Sequence, residues 1–176
     1  MRHAVEWLTQ YAAYHRDRRN IATHFVGIPL IVFALIVLLS RPMLASWAGV
    51  IITPALVLAG LTLIYYLWLD WRLGLALAGF FVMGLALAQP IAQLDTALWL
   101  GTGIALFVIG WLFQFVGHYY EGRKPAFLDD IMGLLVGPLF VAAEAAFALG
   151  LREELKRQIE RVVGPVRGAS AQNQEA

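Results

Sequence analysis

Ile21-Ala22-Thr23-His24-Phe25-Val26-Gly27-Ile28-Pro29-Leu30-Ile31-Val32-Phe33-Ala34-Leu35-Ile36-Val37-Leu38-Leu39 contains no Asp, Glu, Lys or Arg. About 20 apolar residues in a helix cross a bilayer core about 30 Å thick, so this stretch is long enough to span. Three more uncharged runs follow, at 49–69, at 73–88 (extendable to Pro90) and at 97–116. A fifth, 131–151, is long enough but carries Gly137-Pro138 and Glu144. In lipid every backbone polar group must be satisfied within the chain, which leaves helices or closed barrels. The runs are too long for barrel strands of about 10 alternating residues. The reading is an all-α fold: a polytopic transmembrane helical bundle of four full spans plus a broken or re-entrant fifth segment.

Composition agrees. The 176 residues are 60% apolar and 14% charged, against about 45–50% and about 25% in soluble domains. The net charge of +1 supplies no field for nucleic acid. The lack of cysteine excludes disulfides, Cys-zinc sites, iron–sulfur clusters and a thiol nucleophile. Arg2, His3 and Glu6 precede the first run, so the start does not read as a cleavable signal peptide.

The links have recognisable chemistry. Residues 5–12 read as a short interfacial helix with Trp7 and Tyr11 on an aromatic face. Ser40-Arg41-Pro42 ends the first run and Gln89-Pro90 the third. Asp70-Trp71-Arg72 ties the second and third into a hairpin. Residues 152–163 read as a charged helix outside the membrane. Residues 1–163 are expected to form a single integral membrane domain, with 164–176 a disordered tail.

Charge sidedness sets the topology. With four spans, Arg2, Arg16, Arg18, Arg19, Arg72, Arg123 and Lys124 share one side, and Arg41 stands alone on the other. The N-terminus is therefore expected in the cytoplasm. The tail carries Arg152, Lys156, Arg157, Arg161 and Arg167. These favour a fifth segment that dips in and returns, bent at Gly137-Pro138. Arg over Lys usage of 11 to 2 points to a bacterial inner membrane.

Polar residues gather in two places on that side, Tyr14 through His24 and Gln114 through Arg123. Three of the four histidines lie there; His3 reads as solvated. His24 opens an apolar span, where an imidazole is costly unless paired or liganded. Gln114, His118 and Glu121 are spaced by four and three, one face of a continued helix. His15 and His24 are nine apart, so the chain must bend between them to share one ion. Arg18-Arg19-Asn20 offers a loop, with Asn20 as cap of the first span. Three imidazoles with open positions suit Fe(II), Zn(II) or another borderline metal. Glu121 and Glu144 are candidate ligands or acceptors for imidazole N–H groups. There is no HExxH pair, Gly-x-Ser-x-Gly elbow or P-loop.

The blocks Tyr14-His15 … Asn20 … His24-Phe25-Val26-Gly27-Ile28-Pro29, Trp111-Leu112-Phe113-Gln114-Phe115-Val116-Gly117-His118 … Glu121-Gly122-Arg123-Lys124-Pro125-Ala126 and Gly137-Pro138-Leu139-Phe140-Val141 … Glu144 resemble a small membrane family. It is typified by the 2-hydroxy fatty acid dioxygenase of the yeast endoplasmic reticulum, which acts in phytosphingosine degradation. The resemblance covers roughly residues 10–150. It implies Fe(II)-dependent α-oxidation: a 2-hydroxy fatty acid and O2 give a fatty acid one carbon shorter, without 2-oxoglutarate. The family's histidines match His15, His24 and His118 as metal ligands. Glu121, Glu144, Asn20 and Gln114 are the expected catalytic or supporting groups. Arg16, Arg18, Arg19, Arg123 and Lys124 are placed to attract the acid headgroup. Two other functions fit the same residues: a zinc-dependent membrane lipid hydrolase, and a non-enzymatic lipid-binding or transport protein.

Overall fold

The computed structural model describes residues 2–123 and 132–168. Lys124, Pro125, Ala126, the start of the fifth apolar run and tail residues 169–176 lie outside them. The elements are α1 (Arg2–Ala12), α2 (Arg18–Leu39), β1 (Ala45–Trp47), β2 (Val50–Ile52), α3 (Pro54–Leu69), α4 (Trp71–Ala92), α5 (Thr96–Glu121), α6 (Met132–Ala148) and α7 (Glu153–Val163). The chain divides into two compact units. One is Met1–Ile28 with Leu112–Ala176; the other is Pro29–Trp111.

Among the described residues three helices are long and apolar enough to cross a membrane: α2, α4 and α5. The bent pair α6–α7 is a fourth candidate. The run at 49–69 does not become one long helix. Ala48 (φ 50°) and Gly49 (φ 81°) are both left-handed, a conformation that joins two strands tightly and cannot continue a right-handed helix. They connect β1 to β2, with Trp47 opposite Val50. The helix starts only at Pro54, where a missing N–H is harmless. Thr53 caps it by accepting from Leu56 N at 3.2 Å. The 16 residues of α3 rise about 24 Å at 1.5 Å each, short of a full hydrocarbon core.

The expected hairpin in this unit is present as α3–α4. Asp70 serves both helices: its N–H donates to Tyr66 O at 2.9 Å. Its Oδ1 accepts from Arg72 N and Leu73 N, both at 3.1 Å. A Cβ on Gly74 would lie 2.8 Å from Leu67 N, so the two backbones touch. Pro90 falls in the last turn of α4, which continues to Ala92.

In the other unit α1 packs on α6 and α7. It buries Ala4, Leu8, Tyr11 and Ala12, a helical stripe. The charged helix α7 buries only Leu155 and Ile159. The expected bend at Gly137-Pro138 is not where the chain turns. Both residues are buried inside continuous α6, and the 113° bend separates α6 from α7. Pro138 deletes one helical hydrogen bond, whereas left-handed Gly150 (φ 71°) and Arg152 (φ 58°) stop the helix outright. Gly137 serves packing: a Cβ there would lie 3.0 Å from Ile28 Cδ1 and 3.2 Å from Tyr11 Oη.

Within the stretch read as tail, Arg167 forms a parallel bridge with Asp17, through backbone hydrogen bonds that its composition does not announce.

Candidate metal centre

His15 sits in the turn after α1, His24 in the second turn of α2 and His118 in the last turn of α5. All three are buried. One ring nitrogen from each lies within 4.8 Å of the other two. Ring centroids are 4.4 Å apart for His15–His24, 5.0 Å for His15–His118 and 5.1 Å for His24–His118.

The chain bends between His15 and His24, as a shared site requires, but not at 18–20. The bend occupies 13–17, and α2 already begins at Arg18. Asp17, not Asn20, caps it: Asp17 Oδ1 accepts from Arg19 N at 2.8 Å. Asn20 is inside the first turn. The side-chain hydrogen bonds from Arg19 hold the Asp17 carboxyl below its usual range. An Asp two residues before a helical Arg is a cap signal the sequence did offer. α5 ends where Gly122 (φ 67°) forms a left-handed stop, which keeps Gln114, His118 and Glu121 on one helix, all three buried.

The tautomers of two rings are fixed. His15 Nδ1 lies 2.6 Å from Tyr11 O and His24 Nδ1 lies 2.9 Å from Asn20 O. A carbonyl only accepts, so each Nδ1 carries the proton and each neutral Nε2 presents a lone pair. These two Nε2 atoms face each other at 2.9 Å. A second proton would make an imidazolium, and burial, then the neighbouring His24, holds His15 well below the usual histidine range. Two converging lone pairs at that distance repel unless a cation lies between them. Two nitrogens bound at about 2.1 Å and at a right angle on one ion stand about 3.0 Å apart, so the pair fits a metal. His118 offers the third ring nitrogen of the cluster. Tyr11 stacks on His15 with centroids 4.2 Å apart and planes 3° off parallel.

Glu121 does not accept from an imidazole. Its Oε2 accepts from Arg16 N at 2.9 Å, Asp17 N at 2.8 Å and Asn20 Nδ2 at 3.0 Å. Its Oε1 accepts from Arg167 at 2.7 Å. It therefore fixes the turn that carries His15. Gln114 is one helical turn from His118, and its Nε2 is buried without a hydrogen-bond partner among the described residues. Glu144 is not in the imidazole cluster: its Oε1 faces Arg16 Nη2 at 3.6 Å.

The basic residues expected to attract a headgroup are mostly committed elsewhere. Buried Arg16 donates to Ala12 O, His15 O and Gly164 O at 2.8, 2.9 and 3.0 Å. Arg19 pairs with Asp17 at 2.9 Å, and Arg123 donates to Ala13 O at 2.9 Å. Arg18 is exposed. These groups brace the turn.

A family model described as "2-hydroxy-palmitic acid dioxygenase Mpo1-like" matches residues 1–149. The chain is 35% identical over 152 residues to the 2-hydroxy-palmitic acid dioxygenase MPO1 of Saccharomyces cerevisiae, covering 85% of this chain and 83% of that one. No solved structure matches.

Proposed function

This chain belongs to the Mpo1-like family, and from that premise we propose that it is an Fe(II)-dependent dioxygenase that shortens 2-hydroxy fatty acids by one carbon. The observation that carries the metal part is the pair of unprotonated Nε2 atoms of His15 and His24 at 2.9 Å. With His118 they form a three-imidazole donor set that leaves coordination positions open. Bound there, Fe(II) supplies an electrophilic centre for a chelating 2-hydroxy carboxylate and electron transfer toward O2. The overall change balances without a co-substrate: RCH(OH)COOH and O2 give RCOOH, CO2 and H2O. The substrate provides all the electrons that reduce O2.

The chain's own residues do the rest. The carbonyls of Tyr11 and Asn20 hold the His15 and His24 rings by their Nδ1 protons, which sets the direction of each Nε2. Glu121 and Asn20 fix the turn behind His15. Gln114 Nε2 has no hydrogen-bond partner among the described residues and offers a hydrogen bond to a substrate oxygen. Glu144 acts at one remove, by holding Arg16 against the turn. Burial of all three histidines excludes bulk water. Phe25, Val26, Phe115 and Val116 flank His24 and His118 in sequence and are exposed. In a bilayer these side chains face lipid and give an acyl chain a route from the membrane. The positive-inside distribution supports a multi-pass protein with a cytoplasmic N-terminus, and the Arg-over-Lys usage of 11 to 2 supports a bacterial inner membrane.

The test is metal content and stoichiometry. Protein purified without oxygen should retain one iron per chain. Given 2-hydroxypalmitate and O2, it should release pentadecanoic acid and CO2 with one O2 consumed per acid. Stoichiometric zinc in place of iron, or no O2 uptake by the iron-loaded protein, would overturn the proposal.

A further inference from the structure

We propose that Arg167 is a positioning residue of the metal centre, acting through Glu121 on the turn that carries His15. The proposal rests on the reading of the three imidazoles as a metal centre. It concerns a part of the chain beyond residues 1–149, the stretch the family model matches.

The C-terminal segment is tied to the turn from both sides of Asp17. Arg167 N donates to Arg16 O at 2.7 Å, and Arg18 N donates to Arg167 O at 3.2 Å. One turn of chain earlier, Gly164 O accepts from the Arg16 guanidinium at 3.0 Å. The bridge delivers the Arg167 side chain to Glu121, whose two oxygens have different tasks. Oε2 takes the N–H groups of Arg16, Asp17 and Asn20. Oε1 takes Arg167 Nη2 at 2.7 Å.

The Glu121 side chain is 1% exposed, while that of Arg167 is 50% exposed. A buried carboxylate is stable only with its charge balanced and its lone pairs used. Arg167 is thus the charged partner that aligns Glu121, and Glu121 is the group that keeps His15 in place. The sign of the effect separates this role from simple electrostatics. Removing a positive charge near a cation site favours cation binding on Coulombic grounds. Loss of positioning disfavours it.

The experiment compares wild type, Arg167→Ala, Arg167→Lys, Glu121→Gln and the double variant Arg167→Ala/Glu121→Gln, as full chains in detergent. Two quantities are read: Fe(II) affinity under anaerobic conditions, and backbone hydrogen exchange of residues 14–20 in metal-free protein. Arg167→Ala is expected to bind Fe(II) about 10-fold more weakly, at the lower end of what an outer partner of a ligand contributes. Exchange at 14–20 should quicken while α3–α4 is unchanged. Arg167→Lys should recover most of the affinity, and Arg167→Ala should add little to Glu121→Gln. Unchanged or tighter Fe(II) binding by Arg167→Ala, or additive losses in the double variant, would overturn the role. Should wild type bind no iron, the metal reading fails instead. Exchange at 14–20 then decides whether Arg167 holds the turn, and unaltered exchange sinks that as well.

Discussion

Asn20 Nδ2 donates to Glu121 Oε2 at 3.0 Å across 101 residues of sequence, tying the first turn of α2 to the last turn of α5. The same amide nitrogen reaches Tyr14 O at 3.2 Å. Both partners are acceptors, so the amide orientation is fixed and Asn20 Oδ1 is turned toward α5. There it lies against Gly117. The lack of a side chain at that position is what lets two histidine-bearing helices approach closely enough to share a site.

Gly117→Ala should therefore damage the centre without touching a ligand. A Cβ at 117 would collide with Thr23 Oγ1 and Asn20 Oδ1, and would stand 3.2 Å from His24 Nδ1. Two of these neighbours are short side chains on a helix and have little room to give. Overpacking of this kind costs about 1–3 kcal/mol. A lower melting temperature together with loss of bound iron is the expected result. Normal iron content in Gly117→Ala would show that α2 and α5 do not hold the site by close contact.

Replacing His15, His24 or His118 singly by Ala should each abolish stoichiometric iron. The expected loss of affinity exceeds the roughly 10–100-fold typical of an outer partner, because each ring contributes a donor atom to a set of three. Iron measured by mass spectrometry on folded, detergent-solubilised variants checks this. Full occupancy in any one variant removes that histidine from the donor set.

The candidate donor set comes from local properties, helical spacing and burial cost. His24 at the head of an apolar span, His118 four residues after Gln114 and His15 in the polar stretch before that span stand out from sequence alone, and the structure brings the three rings together. Asn20 was legible as important and misread as a cap, since Asn and Asp compete for that role and Asp17 stands three residues earlier. The bend at Gly150–Arg152 was hidden because Arg152 takes a left-handed conformation that non-glycine residues seldom adopt. Gly137-Pro138 carried the stronger breaker signal. Tertiary packing against Tyr11 and Ile28 overrode it. Arg167 could not have been found at all: its partner lies 46 residues away and its surroundings read as tail.

The bridge between Arg167 and Asp17 places the C-terminal segment at the N-terminal end of α2. If α2 crosses the bilayer, residues 13–17 and Arg167 then lie on one side. Since the chain lacks cysteine, single cysteines at His3, Ser46 and Gly168 can report sidedness. Membrane-impermeant labelling of intact cells should spare His3→Cys and Gly168→Cys alike and modify Ser46→Cys. Labelling of Gly168→Cys together with Ser46→Cys would mean that α6 and α7 carry the chain across, and that the Arg167 bridge does not form in the membrane.

Glu144→Gln separates a structural carboxylate from one that serves the metal. Glu144 faces Arg16 at 3.6 Å, with side chains 14% and 8% exposed. Arg16 Nη2 has no hydrogen-bond partner among the described residues, so the pair is a close charge contact without a direct hydrogen bond. Removing one member of a fully buried pair costs about 3–5 kcal/mol. Here about 2–3 kcal/mol is expected, because the contact is long and Arg16 keeps three carbonyl partners. Those carbonyls continue to brace the turn, so iron affinity should fall by less than in Glu121→Gln. A melting temperature lowered with iron binding nearly intact is the expected pattern. Loss of iron equal to that of Glu121→Gln, at unchanged melting temperature, would instead place Glu144 in direct service of the metal.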